Sequence, residues 1–386
     1  MPAVNPASFD TKDRRFMRRA LHLATRSRTH PNPRVGAVVV RDGEIVGEGW
    51  YTGFQNGVSG PHAEAMAFAA AGGKARDATV YVTLEPCTHT TRPDGTPRIP
   101  CARRCLDAGI ARLVCAMQDP DVRVAGQGFA LLREAGVSVE VGLEEDAARE
   151  LNAAYIRHRE TGLPLILHKA AMTLDGKIAA PGGHSRWVTG NAARVAVHKL
   201  RNEVDAVLVG IGTLLQDDPQ LTTRLPRGNA HNPVRVIMDS KLRFPRQARA
   251  AAPGTIVLTG EPVHGEIRQW TEKAAHLQKC GVEVITLPGD PGGRVDVGAA
   301  AQFLAERGLL YVLLESGGAL AASFWEARLV NRVLFFIAPK VIGGGSAPTP
   351  VDGTGLAQTM EGAVQLGKMR VRRYGKDVAL EAEVED

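Results

Sequence analysis

His62, Ala63 and Glu64 stand together in the chain, and Pro86-Cys87 follows beyond one strand-like segment. A zinc ion used for hydrolysis takes three protein ligands, keeps a fourth position for water and needs a carboxylate that is not a ligand to move protons. A His-x-Glu pair at a helix start supplies both roles from one turn: His62 as ligand and Glu64 as proton carrier. Cys87 then supplies a thiolate. The common short form Pro-Cys-x-x-Cys is broken here, because Thr90 stands where the second cysteine would fall. We assign the third ligand to Cys101, which follows Pro100 at the start of a helix, after a loop whose Pro93, Asp94-Gly95 and Pro97 can turn the chain back. Cys105, one turn further, and His89 are the alternatives. Singly, His62 reads as a capping or core histidine and each cysteine as a small buried hydrophobe. Their combination points to hydrolytic deamination at an amidine-like ring carbon.

A second set lies where the apolar stretch 309–314 runs into Glu315-Ser316-Gly317-Gly318-Ala319-Leu320. Small residues at a strand-to-helix junction let backbone N–H groups approach a phosphate, and they also suit a plain tight turn. No Gly-x-Gly-x-x-Gly follows the strand 165–171, so an ordinary Rossmann reading is weak.

The elements that must position these residues are legible from periodicity. Phe16, Ala20, Leu21, Leu23 and Ala24 recur at helical spacing between Asp10 and Arg26, and 35–40 and 44–49 read as a hairpin around Arg41-Asp42-Gly43. Helix 62–71, strand 79–83, helix 101–108, strand 112–116, helix 127–135 and strand 137–141 then alternate, which predicts a largely parallel sheet covered by helices. One helical segment over 144–159 is closed by Gly162 and Pro164. A second α/β alternation starts at Leu165, with strands 165–171, 206–210, 234–239, 255–259, 282–287, 309–314 and 333–339 and helices such as 191–201 and 318–327. We therefore expect two α/β domains, 1–160 and 161–386.

Length and composition fit that division: 386 residues, 44% hydrophobic and 23% charged, give material for two cores. Five cysteines are too few for a disulfide framework in such a chain. No apolar run approaches the roughly 20 residues of a membrane span, and the polar start lacks the apolar core of a secretory signal. The net charge of +6 suits phosphorylated small molecules better than a duplex, and 5% aromatics offer little stacking material for single-stranded nucleic acid. A cytoplasmic enzyme is expected, with no nucleic-acid or membrane partner.

Longer stretches carry a resemblance. His30-Pro31-Asn32-Pro33-Arg34-Val35-Gly36-Ala37, Gly60-Pro61-His62-Ala63-Glu64, Val82-Thr83-Leu84-Glu85-Pro86-Cys87-Thr88-His89, Ala116-Met117-Gln118-Asp119-Pro120 and Val124-Ala125-Gly126-Gln127-Gly128 resemble the deaminase half of the bifunctional riboflavin-biosynthesis deaminase/reductase family. The resemblance implies a cytidine-deaminase-like three-layer domain that binds zinc (Zn2+), with Asn32 binding the ring. In that family the second cysteine follows after about eight residues, in a Gly-Arg-Thr-Pro-Pro-Cys type of segment. Here residues 88–100 intervene, an insertion over the substrate side.

The second half resembles the reductase of the same family through Leu167-His168-Lys169-Ala170-Ala171-Met172-Thr173-Leu174-Asp175-Gly176, Ser185-Arg186-Trp187-Val188-Thr189-Gly190, Gly210-Ile211-Gly212-Thr213-Leu214-Leu215-Gln216-Asp217-Asp218-Pro219, and Ile337-Ala338-Pro339-Lys340. The resemblance implies a dihydrofolate-reductase-like domain using NADPH. Carried over, Ala171, Trp187, Thr213, Asp217, Ser240 and the turn Gly317-Gly318-Ala319-Leu320-Ala321-Ala322-Ser323 look like cofactor contacts. Ser185, Arg201, Leu221, Arg224 and Glu315 look like substrate contacts, with Lys169 near the sugar carbon to be reduced. Arg201 and Arg224 offer forked donors suited to a ribose phosphate. Against these stand Arg201 as a helix-end residue and Trp187 as core.

The leading expectation is thus deamination of a phosphorylated ribosylamino-pyrimidine, then reduction of its ribosyl chain to ribityl, by a homo-oligomer. The alternatives are a nucleic-acid or nucleoside base deaminase with an accessory binding domain, and a degenerate scaffold that keeps only the fold.

Overall fold

The computed structural model describes residues 9–26, 28–55, 58–91, 95–225, 230–262 and 265–385. The chain divides into two compact units, Met1–Gly162 and Leu163–Asp386. Among the described residues no helix is long and apolar enough to cross a membrane.

The first unit runs α1 (Thr11–Ala24), β1 (Gly36–Arg41), β2 (Glu44–Trp50), a short ribbon of β3 (Phe54–Gln55) and β4 (Val58–Ser59), α2 (Ala63–Ala71), β5 (Thr79–Val82), α3 (Cys101–Ala108), β6 (Arg112–Cys115), α4 (Gln127–Glu134), β7 (Ser138–Val141), α5 (Glu145–Leu151) and α6 (Ala153–Thr161). The sheet order is β2-β1-β5-β6-β7. The expected β1–β2 hairpin is present and β5, β6 and β7 run parallel, but β1 is also antiparallel to β5, so the sheet is mixed, a correction to the largely parallel sheet expected. The tight turn at Asp42 and Gly43, both at positive φ, folds β1 and β2 into a hairpin. The α2 crossover then sets β5 on the far side of β1, parallel to β2.

Because side chains alternate along a strand, β1 serves two cores. Val38 and Val40 join Tyr81 and Val114 against Phe16, Met17, Ala20 and Leu23 of α1. Ala37 and Val39 join Val80, Val82 and Leu113 against Ala63 and Ala67 of α2, Cys105 of α3 and Phe129 and Leu132 of α4. Helix, sheet and helix form three layers. The single helix expected over 144–159 is two helices, broken at Asn152. That side chain accepts from Arg34 N at 2.8 Å and donates to Arg34 O at 3.0 Å, which ties the Asn32–Arg34 segment in place.

The second unit runs β8 (Leu165–Thr173), α7 (Asn191–Glu203), β9 (Ala206–Gly210), α8 (Ile211–Asp217), β10 (Val234–Met238), β11 (Thr255–Thr259), α9 (Ile267–Lys279), β12 (Val282–Thr286), α10 (Val297–Glu306), β13 (Tyr311–Leu314), α11 (Gly318–Glu326), β14 (Val330–Ala338), β15 (Arg370–Tyr374) and β16 (Asp377–Glu383). Its sheet order is β12-β11-β10-β9-β13-β8-β14-β16-β15. The strands are parallel from β12 to β14, and β16 and β15 add antiparallel at one edge. Leu208, Val236 and Leu314 face Leu304 and Phe324, while Val207, Ile237 and Leu313 face Leu214, Phe244 and Leu277. Neither β15 nor β16 is among the strands expected from sequence: Arg370–Tyr374 is mostly charged, and Asp377–Glu383 alternates Val378, Leu380 and Ala382 with acidic residues and alanine.

Candidate active sites

In the first unit His62 is the N-cap of α2, with extended backbone, and Glu64 sits in the first turn. What seats this helix end against the sheet is the lack of side chains beneath it. A Cβ at Gly47 would lie 2.2 Å from the Ala67 carbonyl oxygen, and one at Gly49 would lie 2.1 Å from that of Ala63. Cys101 opens α3, whose Ala102 N–H donates to the Cys87 carbonyl at 3.1 Å and so joins the two cysteine segments.

These elements bring His62, Cys87 and Cys101 together, one potential ligand atom from each lying within 4.8 Å of the others. His62 Nδ1 stands 3.7 Å from Cys87 Sγ and 3.4 Å from Cys101 Sγ. The other two ligand alternatives are not in this cluster: Cys105 is buried in the core, and His89 is exposed. Both thiols are unbridged, and one imidazole with two sulfurs is a donor set that zinc takes.

Electrostatics favour a thiolate here. A hydrogen bond from Cys101, with His62 and Arg98 nearby, outweighs burial and holds the Cys87 thiol well below the usual thiol range, while the same bond and burial push Cys101 up. Burial also pushes the Glu64 carboxyl up; it is only 3% exposed. The expected ring-binding residue, Asn32, donates through Nδ2 to the Tyr51 hydroxyl at 3.1 Å, and the Tyr51 ring meets the His62 ring edge-on at 5.2 Å. Tyr51 was missed in the sequence because a lone tyrosine after a strand carries no signal.

Arg98 was missed as well. Its Nη2 lies 2.9 Å from Cys87 Sγ and 3.1 Å from His62 Nδ1. The insertion delivers it: Thr91 and Pro97 form an antiparallel bridge, and Arg98 N donates to Thr90 O at 2.8 Å. Pro93 and Asp94, expected to turn this loop, lie outside the described residues. The basic residue just before Ile99-Pro100-Cys101 was the available clue.

The second unit holds a cavity of about 970 Å³ beyond the carboxyl ends of its parallel strands, at the upper end of the roughly 300–1,000 Å³ of ligand pockets. Of the expected contacts, Lys169, Ala171, Ser185, Trp187, Arg201, Thr213, Asp217, Arg224, Ser240, Glu315, Gly317, Gly318, Ala319, Leu320 and Ser323 line it. Three do not: Leu221, 2% exposed and at positive φ, and Ala321 and Ala322 have their side chains in the core. Trp187 is not core; it is 62% exposed, with the Arg194 guanidinium 4.5 Å over its ring. His198, which the sequence did not single out, also lines the cavity.

At the inner wall Arg201 grips Glu315 with both arms, Nε to Oε1 at 2.8 Å and Nη2 to Oε2 at 2.9 Å, and Lys169 Nζ lies 3.7 Å from Oε2. Burial alone would push Glu315 up, but the charges of Arg201 and Lys169 outweigh it and hold the carboxyl at about 2. Burial pushes the Lys169 ammonium down. The fork of Arg201, expected on a phosphate, is thus engaged by Glu315. Arg224 is exposed at the cavity wall, where burial and then the like charges of Arg201 and Arg249 lower its pKa.

The site fits a dinucleotide. A Cβ at Gly317, before α11, would meet open space, and the neighbouring Ser316 Oγ is buried without a partner. Gly318 is glycine for another reason, since its Cβ would stand 2.4 Å from the Thr349 carbonyl oxygen.

Known proteins match both units of the chain. Residues 164–380 match the family described as RibD C-terminal domain, and residues 10–117 match the cytidine and deoxycytidylate deaminase zinc-binding region. The chain is 38% identical to the riboflavin biosynthesis protein RibD of Aquifex aeolicus over 95% of this chain and 97% of that one. To the Escherichia coli protein of the same name it is 36% identical, over 96% and 98%. Among solved structures it is similar to Acinetobacter baumannii RibD, with a TM-score of 0.81, 32% identity and coverage of 97% and 99%. It is equally similar to the Thermotoga maritima diaminohydroxyphosphoribosylaminopyrimidine deaminase/5-amino-6-(5-phosphoribosylamino)uracil reductase, with a TM-score of 0.80, 33% identity and the same coverage. The chain therefore belongs to the RibD family of riboflavin biosynthesis, bifunctional enzymes that join a zinc-dependent deaminase to an NADPH-dependent reductase.

Proposed function

We propose that the first unit deaminates a diaminohydroxyphosphoribosylaminopyrimidine and that the second reduces the ribosyl chain of the product to ribityl. The carrying observation is the approach of His62, Cys87 and Cys101 to within 4.8 Å, with the buried carboxyl of Glu64 in the same helix turn as His62. His62 Nδ1 and the two Sγ atoms would hold zinc, which when bound supplies Lewis acidity and lowers the pKa of water to about 7. Glu64 takes a proton from the attacking water and delivers protons to the departing amino nitrogen, which leaves as ammonia. Asn32, fixed by Tyr51 and by the Asn152 clasp on Arg34, orients the ring.

In the second unit NADPH would lie along Gly317–Leu320, Thr213 and Ser240 and supply hydride. Lys169 and Glu315 hold the opened sugar, Arg201 fixes Glu315, and Arg224 takes the phosphate. Alignment of sugar carbon with cofactor is the main task of these residues. All five cysteines are free thiols, which supports a cytoplasmic protein. A small-molecule substrate, no nucleic acid and a homo-oligomeric assembly complete the proposal, the last checked by light scattering on the purified protein.

The test uses purified full-length protein. It should carry about one zinc per chain, release ammonia from the diaminopyrimidine phosphate, and oxidise NADPH only with the deaminated product. Full ammonia release by metal-free protein would overturn the zinc assignment, and NADPH oxidation with the undeaminated compound would overturn the order of steps.

A further inference from the structure

The segments 116–120 and 124–128 give no group to either site, yet both close on one side chain. Glu85, 5% exposed, accepts from Gly126 N at 2.9 Å and Asp119 N at 3.2 Å through Oε2, and from Gly128 N at 2.9 Å through Oε1. Two of these donors belong to the start of α4, whose N-cap, Gly126, has no side chain to offer. Glu85 therefore caps α4 from a distant part of the chain, where a carboxylate meets both the free N–H groups and the positive helix end.

The clasp is close on its other side too. A Cβ at Gly128 would stand 2.2 Å from the Pro86 carbonyl oxygen, so α4 approaches the chain between Glu85 and Cys87 as only glycine allows. One residue on, Cys87 is held by the bond from Ala102 N at 3.1 Å. The Cys87 backbone is thus pinned between the start of α4 on one flank and the start of α3 on the other.

We infer that Glu85 is a positioning residue for the Cys87 sulfur, acting through the N-terminus of α4, and that Gly128 serves the same function by yielding space to Pro86. The inference rests on the zinc reading of His62, Cys87 and Cys101. Partners of this kind beyond the ligands typically change metal affinity by about 10–100-fold when removed.

The experiment compares full-length wild type, Glu85→Gln and Gly128→Ala. Zinc affinity is read by competition with a chromophoric chelator, and the site geometry by the thiolate-to-metal charge-transfer band after cobalt substitution. Both variants should bind zinc about 10–100-fold more weakly with an altered cobalt band, while NADPH oxidation on the deaminated substrate stays at the wild-type rate. The zinc-induced rise in melting temperature of the deaminase unit should shrink in both. A rise of unchanged size, with an unchanged cobalt band, would mean that Glu85 only stabilises the fold and would overturn the inference, even if one variant melts lower throughout. Failure of the wild type to take up zinc is a different outcome and would instead remove the zinc reading itself.

Discussion

Arg201 and Glu315 meet through two parallel N–H···O bonds of 2.8 and 2.9 Å at the inner wall of the reductase cavity. Both side chains are largely withdrawn from water, so the pair acts as one planar unit facing Lys169. Lysine cannot reproduce the fork. Arg201→Lys should therefore keep the charge balance but loosen Glu315, lowering kcat/KM for NADPH oxidation by about 10–100-fold, the worth of one charged hydrogen bond. Arg201→Ala strands a buried carboxylate and should cost the reductase unit about 3–5 kcal/mol. Wild-type kcat/KM in the lysine variant would show that the fork is not needed.

Arg224 lies on the same cavity but plays a different part, because it is exposed there and its electrostatic neighbours Arg201 and Arg249 are cations. Arg224→Ala should raise KM for the phosphorylated substrate by about 10–100-fold with little change in kcat. The dephosphorylated compound provides the check: the variant and the wild type should handle it alike. A KM defect that persists without phosphate would move the phosphate site elsewhere.

Glu64 is buried beside the ligand cluster without belonging to it. Glu64→Gln removes the proton carrier and retains the shape, so ammonia release should fall by at least about 100-fold with zinc content unchanged. NADPH oxidation on pre-deaminated substrate should be untouched. Loss of zinc in this variant would make Glu64 a ligand and sink its assignment as base.

Cys105 and Cys101 lie one turn apart on α3 and both are buried, but they face different neighbours. Cys101 reaches His62 Nδ1 at 3.4 Å, whereas Cys105 is enclosed by Ala75, Ile110 and Leu113 in the core, its thiol pushed well up by burial. Cys105→Ser should keep the metal and lose about 1–3 kcal/mol of stability for an ill-satisfied buried hydroxyl. Cys101→Ser should lose most of its zinc. Metal analysis of the two proteins side by side decides between them.

Much of this could be read from the chain because its signals were local. The His62-x-Glu64 pair, Pro86-Cys87 and the continuous apolar runs of β1 and β9 each depend on a few neighbouring residues. The features that escaped depend on distant partners. Tyr51 gains meaning only from Asn32 and His62, Arg98 only from the loop bridge that brings it back, and the pairing of Arg201 with Glu315 only from the packing that sets the end of β13 beside α7. The β1–β2 hairpin was legible from its Asp42-Gly43 turn, but the antiparallel place of β5 beside β1 was not, because alternation of elements reports helices and strands whereas that pairing follows from the α2 crossover. Asn152 looked like an ordinary helical residue until Arg34 was found against it.

His168 gives the fold a pH dependence of definite sign. It lies in the core on β8, accepts from Trp325 Nε1 through Nδ1 at 3.1 Å, and has Phe335 edge-on at 5.0 Å. Burial, reinforced by the charge of Lys169, lowers its pKa from 6.5 to about 4. The unfolded chain then takes up the proton first as pH falls. Stability from this group is complete above pH 6.5, is lost progressively towards pH 4 and changes little below, for a total of roughly 3 kcal/mol. Protonation of Nδ1 would also break the bond from Trp325, so tryptophan fluorescence is the natural probe of the transition. Urea unfolding of the wild type should weaken across that window, and His168→Gln, which keeps an acceptor but cannot titrate, should weaken markedly less. Equal slopes for the two proteins would assign the acid sensitivity to other groups, such as His158 and His198, whose pKa values burial also lowers.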